Sequence, residues 1–498
     1  NVGSEARSVK YDGISTVQRG YLPDRGKKFV AINAAEWPLY NEWLMANPDV
    51  VMDRLTNVVS FYGTFTYTYD DRYTANFNIR TDGSNKFGQD KSTKFLPVWS
   101  AAVRWNIHNE SFMQDFGWLQ RLKLRASTGY TGSQNFNSYQ AISTYKYYSD
   151  EVYDNIIGSY LMSLANPDLQ WQKTQDNNVG LDLSVFGRVD LTFDYYIKNT
   201  SNLLTPVTLP PSAGFSSYTE NLGKSQNKGF ELQASVRAIN NSDQDLHLNV
   251  FASLMHNTNK IKEINEALSS MNDSKDSDKG LNYDQDTKEK TTKPSVRYAE
   301  GQSMSAIWAV RSLGIDPGTG NELFLTKDGD LTYTWDSDDQ VVCGDELPKY
   351  TGTFGFNLDW KGFSVNTSFY YRLGGQMYNQ TLVDKVENCD MNYNVDHRVY
   401  TGRWTTPGQK AEFKKMTDPN YFTRPTSRFV QDLSELQMTS LNIGYDFRNC
   451  KFMQKGIIER LKLSFYMNDV FRLSTVKTER GTDYPFARSF SFQLQATF

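Results

Sequence analysis

The side chains able to make or break bonds are few and lie far apart. Four histidines (His108, His247, His256 and His397) and three cysteines (Cys343, Cys389 and Cys450) are scattered along 498 residues. None has the spacing of a zinc site, a disulfide framework or a nucleophile with its base. No glycine-rich phosphate cradle accompanies them, so neither an enzyme nor a resident cofactor or metal is expected. The segment from Asn272 to Lys293 carries Asp273, Asp276, Asp278, Asp284 and Asp286. Its spacing is not that of an EF-hand, and it reads as a solvated loop rather than a calcium site. The net charge is −4 and no lysine or arginine run recurs, which leaves no electrostatic case for nucleic acid. What remains is the chemistry of binding. Tyr333, Trp335, Tyr393 and Trp404 lie in long polar stretches, where aromatic faces can stack on sugar rings and polar edges can pair with buried hydroxyls or peptide groups. They are the candidate substrate contacts; packing of their own loops, or of a partner protein, is the competing role for each.

Loop side chains need a scaffold, and the composition points to an unusual one. Aromatic residues make up 14% of the chain, with 30 Tyr, 30 Phe and 10 Trp, although the mean hydropathy is only −0.60. No stretch approaches the roughly 18 to 20 apolar residues of a transmembrane helix. A membrane-spanning strand needs only about ten residues, of which alternate ones are apolar. That pattern recurs. Val179, Leu181, Leu183 and Val185 alternate with Asn178, Gly180, Asp182 and Ser184. Beyond Gly187-Arg188 the alternation resumes with Val189, Leu191, Phe193, Tyr195 and Ile197. The last such run is Phe490, Phe492, Leu494, Ala496 and Phe498. A soluble β-sandwich shares the alternation, but its strands are usually about 5 to 6 residues long, whereas these read as about 10 to 12.

Connection lengths alternate as well. Short turns at 70–72, 187, 238–244 and 361–362 are separated by long polar links at 131–176, 200–225, 258–303, 328–348 and 373–430. Outer-membrane barrels keep short turns at the periplasm and long loops outside. Keeping that order requires strands both at 304–315 and at Glu322-Leu323-Phe324-Leu325, which brings the expected total to about fifteen. Aromatic residues near strand ends (Tyr69, Tyr73, Trp105, Trp118 and Trp360) are expected to form an interfacial girdle.

Several segments resemble the SusC/RagA family of TonB-dependent outer-membrane transporters. They are Arg80-Thr81-Asp82-Gly83-Ser84-Asn85-Lys86-Phe87-Gly88, Phe95-Leu96-Pro97-Val98-Trp99-Ser100-Ala101, Leu122-Lys123-Leu124-Arg125-Ala126-Ser127-Thr128-Gly129-Tyr130 and Leu313-Gly314-Ile315-Asp316-Pro317-Gly318-Thr319-Gly320. The resemblance spans about residues 58–498, with Thr81 an extra residue against the family pattern. It implies an all-β fold: a transmembrane antiparallel β-barrel in the bacterial outer membrane, with this chain supplying about fifteen of 22 strands. Residues 1–57 are then expected as an extracellular loop leading into the barrel and 58–498 as its C-terminal part, with an N-terminal plug and the first strands outside this chain. The implied activity is TonB-dependent import of an oligomeric nutrient, a glycan or a peptide. The implied partners are a SusD-like surface lipoprotein acting as a lid, the TonB complex and outer-membrane lipid. A passive porin or a surface adhesin is the alternative.

Overall fold

The computed structural model describes every residue except 31, 34, 48, 86–94, 134–143, 151–155, 165, 167–168, 209–214, 216, 265–291, 390–391, 393, 417–421, 451–457 and 478–487. Contacts divide the chain into two compact units. One comprises Asn1–Phe65, Asn78–Trp99 and Asn135–Trp171; the other comprises Thr66–Phe77, Ser100–Gln134 and Gln172–Phe498. Fourteen strands join in one antiparallel sheet in chain order. The first four are β1 (Val2–Ser15), β2 (Val50–Tyr69), β3 (Tyr73–Ser84) and β4 (Phe95–Asn106). Next come β5 (Leu119–Ser133), β6 (Gln172–Val185), β7 (Val189–Thr208), β8 (Ser217–Asn241) and β9 (Leu246–Glu263). The sheet ends with β10 (Tyr350–Trp360), β11 (Phe363–Tyr378), β12 (Val430–Asp446), β13 (Arg460–Ser474) and β14 (Phe490–Thr497).

Register turns the alternation of single strands into two opposite faces. Leu124, Leu181, Phe193, Leu232 and Leu254 stand side by side across β5 to β9. A parallel row runs through Leu122, Leu183, Leu191, Ala234, Ala252, Phe354 and Phe369, and its last two rings stack 4.8 Å apart. The residues between these rows are charged, amide or hydroxyl. A slip of one residue would exchange the two faces, so a sheet with lipid on one side tolerates no other register. The tight turns fit this strand twist. Asp70 and Asp71, Phe186 and Gly187, and Lys361 and Gly362 form three pairs of consecutive residues with positive φ, the requirement of a type I′ hairpin. At Gly362 a Cβ would also lie 2.5 Å from the Asp446 carbonyl oxygen.

Two expectations about the wall need correction. Residues 1–57 are not simply a loop, because Val2–Ser15 pairs with β2 from Gly63 down to Val50. The segments at 304–315 and 322–325 are strands, but not of the large sheet. Ala306–Ile315 pairs with Gln340–Asp345 on one side and Glu322–Leu325 on the other, and Leu331–Thr332 completes a separate four-stranded sheet. β9 pairs directly with β10, with Leu246 opposite Trp360 and Met255 opposite Thr351. The stretch 264–349 is therefore one long connection, and it falls between the short turns at 242–245 and 361–362 without the two strands invoked to preserve that order. A four-residue strand is in any case far too short to cross a hydrocarbon core. Strands also reach farther than expected: β7 and β8 pair out to Thr208 and Ser217, so most of the expected 200–225 link is strand.

Candidate functional site

On the polar face of the wall, cations lie against carboxylates. Arg125 sits 3.1 Å from both Asp182 and Asp194. Arg121 and Arg237 share Asp190 at 3.3 and 3.5 Å, Lys198 meets Asp176 at 3.5 Å, and Glu435 is held between Arg372 and Arg472. Amides continue the pattern, Asn259 donating to Asn227 at 2.9 Å. Apart from those of the buried Glu435, pairs this exposed add little stability. Their effect is to lay long side chains flat and leave a surface dense in satisfied donors and acceptors.

At the short-turn end, the girdle aromatics converge on one carboxylate. Glu110, only 6% exposed, accepts from the Tyr73 hydroxyl at 2.7 Å, the Trp105 indole at 2.8 Å and Arg72 at 3.2 Å. The Tyr73 and Trp105 hydrogen bonds, more than Arg72, hold the Glu110 carboxyl below its ordinary range. Trp118 stacks on Phe186 at 5.7 Å, and Trp360 is half exposed.

At the opposite end, the stretches between β9 and β10 and between β11 and β12 build a module with its own core. Val383, Val386, Val399, Phe413 and Phe429 are almost fully buried together with Ile307 and Tyr378. Beside this core lies a cluster of buried charge. Arg428 contacts Glu322 at 3.0 Å and Glu387 at 2.7 Å; both carboxylates are buried. Arg403, 5% exposed, donates to the carbonyls of Val399, Lys414, Val386 and Glu387 at 2.6 to 3.1 Å. These contacts replace the hydration that burial removes, without which a buried guanidinium would be very costly. Burial pushes the Lys414 ammonium down to about 8, against the pull of Glu387 and Glu322. An unfolded lysine titrates near 10.4. Between about pH 8 and pH 10.4 the unfolded chain therefore holds the extra proton, and module stability is expected to rise with pH, by about 3 kcal/mol at most. Thermal melts followed by tryptophan fluorescence should show that rise in the wild type and lose it in Lys414→Met.

A family model described as TonB dependent receptor-like, beta-barrel matches residues 16–379. The chain belongs to this family. A TonB-dependent receptor-like barrel crosses the outer membrane, so the apolar face of the sheet meets lipid and the polar face the lumen. The SusC/RagA resemblance read from the motifs holds. TonB-dependent receptor P3 of Formosa agariphila is 28% identical over 425 residues, covering 82% of this chain and 40% of the relative. SusC of Bacteroides thetaiotaomicron is 25% identical over 464 residues, covering 89% and 44%. Solved structures of the RagAB peptide transporter superpose with a TM-score of 0.76 at 20% identity, covering 95% of this chain and 49% of the other. The chain thus spans less than half the length of the curated relatives it matches.

In this TonB-dependent receptor barrel, three of the four candidate aromatics gather in the loop module and pack it. Trp404 donates to the Pro317 carbonyl at 2.9 Å and lies over Gly320, where φ is 72° and a Cβ would fall 2.4 Å from the indole. Tyr333 donates to Asp316 at 2.9 Å. The Thr319 hydroxyl, the Gly318 amide and this phenol hold the Asp316 carboxyl below its usual range. Trp335 donates to the Pro425 carbonyl at 3.0 Å, with Arg424 over its ring at 4.9 Å. Tyr333 and Trp404 thus flank one turn, 316–320, and Tyr333 keeps 49% of its surface exposed. Tyr393 and the five acidic residues of 272–293 lie outside the described residues. The buried network of Glu322, Glu387, Arg403, Lys414 and Arg428 had no signature in the sequence.

Proposed function

We propose that this chain forms part of the wall and outer loops of a TonB-dependent importer of an oligomeric nutrient, a glycan or a peptide. In this reading the long-link end, with its cored module, faces the outside, and the short-turn end faces the periplasm. A SusD-like lipoprotein covers the module and the TonB complex supplies the energy. The supporting observation is the polar lumen face: ion pairs and amides give an oligomer many equivalent, weakly held positions along the wall. The names of the relatives point the same way, since RagAB is described as a peptide transporter and SusC as a TonB-dependent receptor. Tyr333, Trp335, Tyr393 and Trp404 are the proposed substrate contacts, with Tyr333 foremost because its ring remains exposed.

Uptake by whole cells tests this proposal. Fluorescent oligosaccharides and peptides should accumulate in cells carrying the gene and not in a deletion strain. Accumulation of one class should stop when the inner-membrane proton gradient is collapsed. Uptake that persists without the gradient would instead indicate a passive porin. Trp404→Ala should loosen the 316–320 turn as well as lower uptake. Tyr333→Ala should lower uptake with the module intact, read as unchanged resistance to limited proteolysis.

A further inference from the structure

The two faces of the wall treat their cations differently. On the lumen face Arg121, Arg125, Lys198 and Arg237 each have a carboxylate within 3.5 Å. On the lipid-facing side of β6 to β9 they mostly do not. Register places Ala126, Val179, Tyr195 and Phe230 in the last largely apolar row before the long-link end. Lys228 lies one row beyond it, Lys260 two rows, and Lys173 and Lys224 three. Lys224 pairs with Glu263 at 2.5 Å. Among the described residues no carboxylate pairs with Lys173, Lys228 or Lys260. The Lys173 ammonium instead rests 4.1 Å above the Tyr130 ring, while Lys228 and Lys260 are exposed. Strand spacing puts the Lys228 and Lys260 backbone positions about 8 Å apart, within reach of one phosphate for side chains as long as lysine, and Lys173 about 16 Å from either.

On the same face, beside Lys228 and below Lys173, a depression of about 380 Å³ on β4 to β7 is lined by Ala101, Val103, Ala126, Val179, Tyr195 and Ile197. Small side chains create the hollow. At its upper lip the Thr128 hydroxyl donates to Asn177 Oδ1 at 2.7 Å, so the two polar groups there satisfy each other and the hollow stays apolar. Unpaired cations above an apolar groove, at the boundary of a hydrocarbon layer, match a lipid with an anionic headgroup. Phosphate is the anion that several lysines can share as point charges.

We propose that Lys228 and Lys260 bind one phosphate of an outer-leaflet lipid and Lys173 a second, with an acyl chain of that lipid in the adjoining hollow. The site rests on the orientation proposed above, with the long-link end outside. The test uses the full-length receptor in phosphatidylethanolamine nanodiscs containing diphosphorylated lipid A or its dephosphorylated form, with bound lipid counted by native mass spectrometry. The wild type should retain the phosphorylated lipid at least tenfold better than the dephosphorylated form. The K173Q/K228Q/K260Q variant should lose that preference, and the K173R/K228R/K260R variant should keep it. Heat-modifiable gel mobility reports whether each variant is a folded barrel. Equal retention by the glutamine variant, or equal retention of both lipids, would overturn the site; so would displacement by millimolar inorganic phosphate, which would indicate a free-anion site. Whole-cell labelling of the Asp328→Cys variant tests the orientation separately. Labelling from outside together with absent lipid preference would refute the lipid site alone.

Discussion

Replacing Arg428 by alanine is expected to destabilise the loop module by about 3 to 5 kcal/mol, the largest effect of any single substitution there. The reason is what the substitution leaves behind. Glu322 and Glu387 are both buried, and Arg428 is the cation that contacts them at 3.0 and 2.7 Å. Without it two carboxylates remain in an apolar setting, and Lys414, already reluctant to stay charged, is a poor substitute. Hydrogen exchange in the intact protein would locate the damage. Amides of Ala306–Ile315 and Gln340–Asp345 should lose protection, while those of β6 to β9 keep it. Unchanged exchange in the small sheet would show that the cluster does not hold the module together. Replacing all three members by apolar residues of similar volume is expected to be far milder, because it removes the charges along with their partner.

Leu232→Lys should cost about 1 to 3 kcal/mol of barrel stability, as expected for a cation on the lipid face between the midplane and the interface. Leu232 stands in the row between Phe193 and Leu254, one row inside the Phe230 row at the edge of the apolar band. Gln233→Lys moves the same charge by one residue to the lumen face, beside Thr192 and Ser253, and should change stability by less than about 0.5 kcal/mol. Urea unfolding in lipid vesicles measures both. Equal effects would mean that the faces are assigned the wrong way round, or that this part of the sheet is not in lipid.

The wall was legible wherever both strands of a hairpin alternate and a turn residue marks the break, as at Val179–Ile197. It was illegible at Val2–Ser15 because Ser4, Ala6 and Ser8, small or polar residues, stand opposite Phe61, Val59 and Asn57. The apolar band there is carried by β2 alone. Ala306–Ile315 misled for the opposite reason. Ala306–Val310 is an unbroken apolar run, and neither such a run nor the order of short and long links that called for it reports whether a strand is covered by lipid or by a small core. The loop aromatics could be picked out by type and position, yet nothing in the sequence places Trp404 over Gly320, which lies in another connection. The ion cluster was beyond reach altogether. Glu322, Glu387 and Arg428 come from three separate stretches, and a salt bridge leaves no periodic trace.

The direct pairing of β9 with β10 also bears on how such a barrel can diverge. Closing a flexible connection costs entropy only as the logarithm of its length, so the long stretch between Glu263 and Tyr350 burdens the hairpin by only about 3 kcal/mol more than a tight turn would. The module there is ordered by a core it shares with the 379–429 connection and with Tyr378 of β11. Insertions and replacements there can therefore accumulate without disturbing the register of the wall, which leaves one unchanging frame free to carry outer surfaces of quite different ancestry.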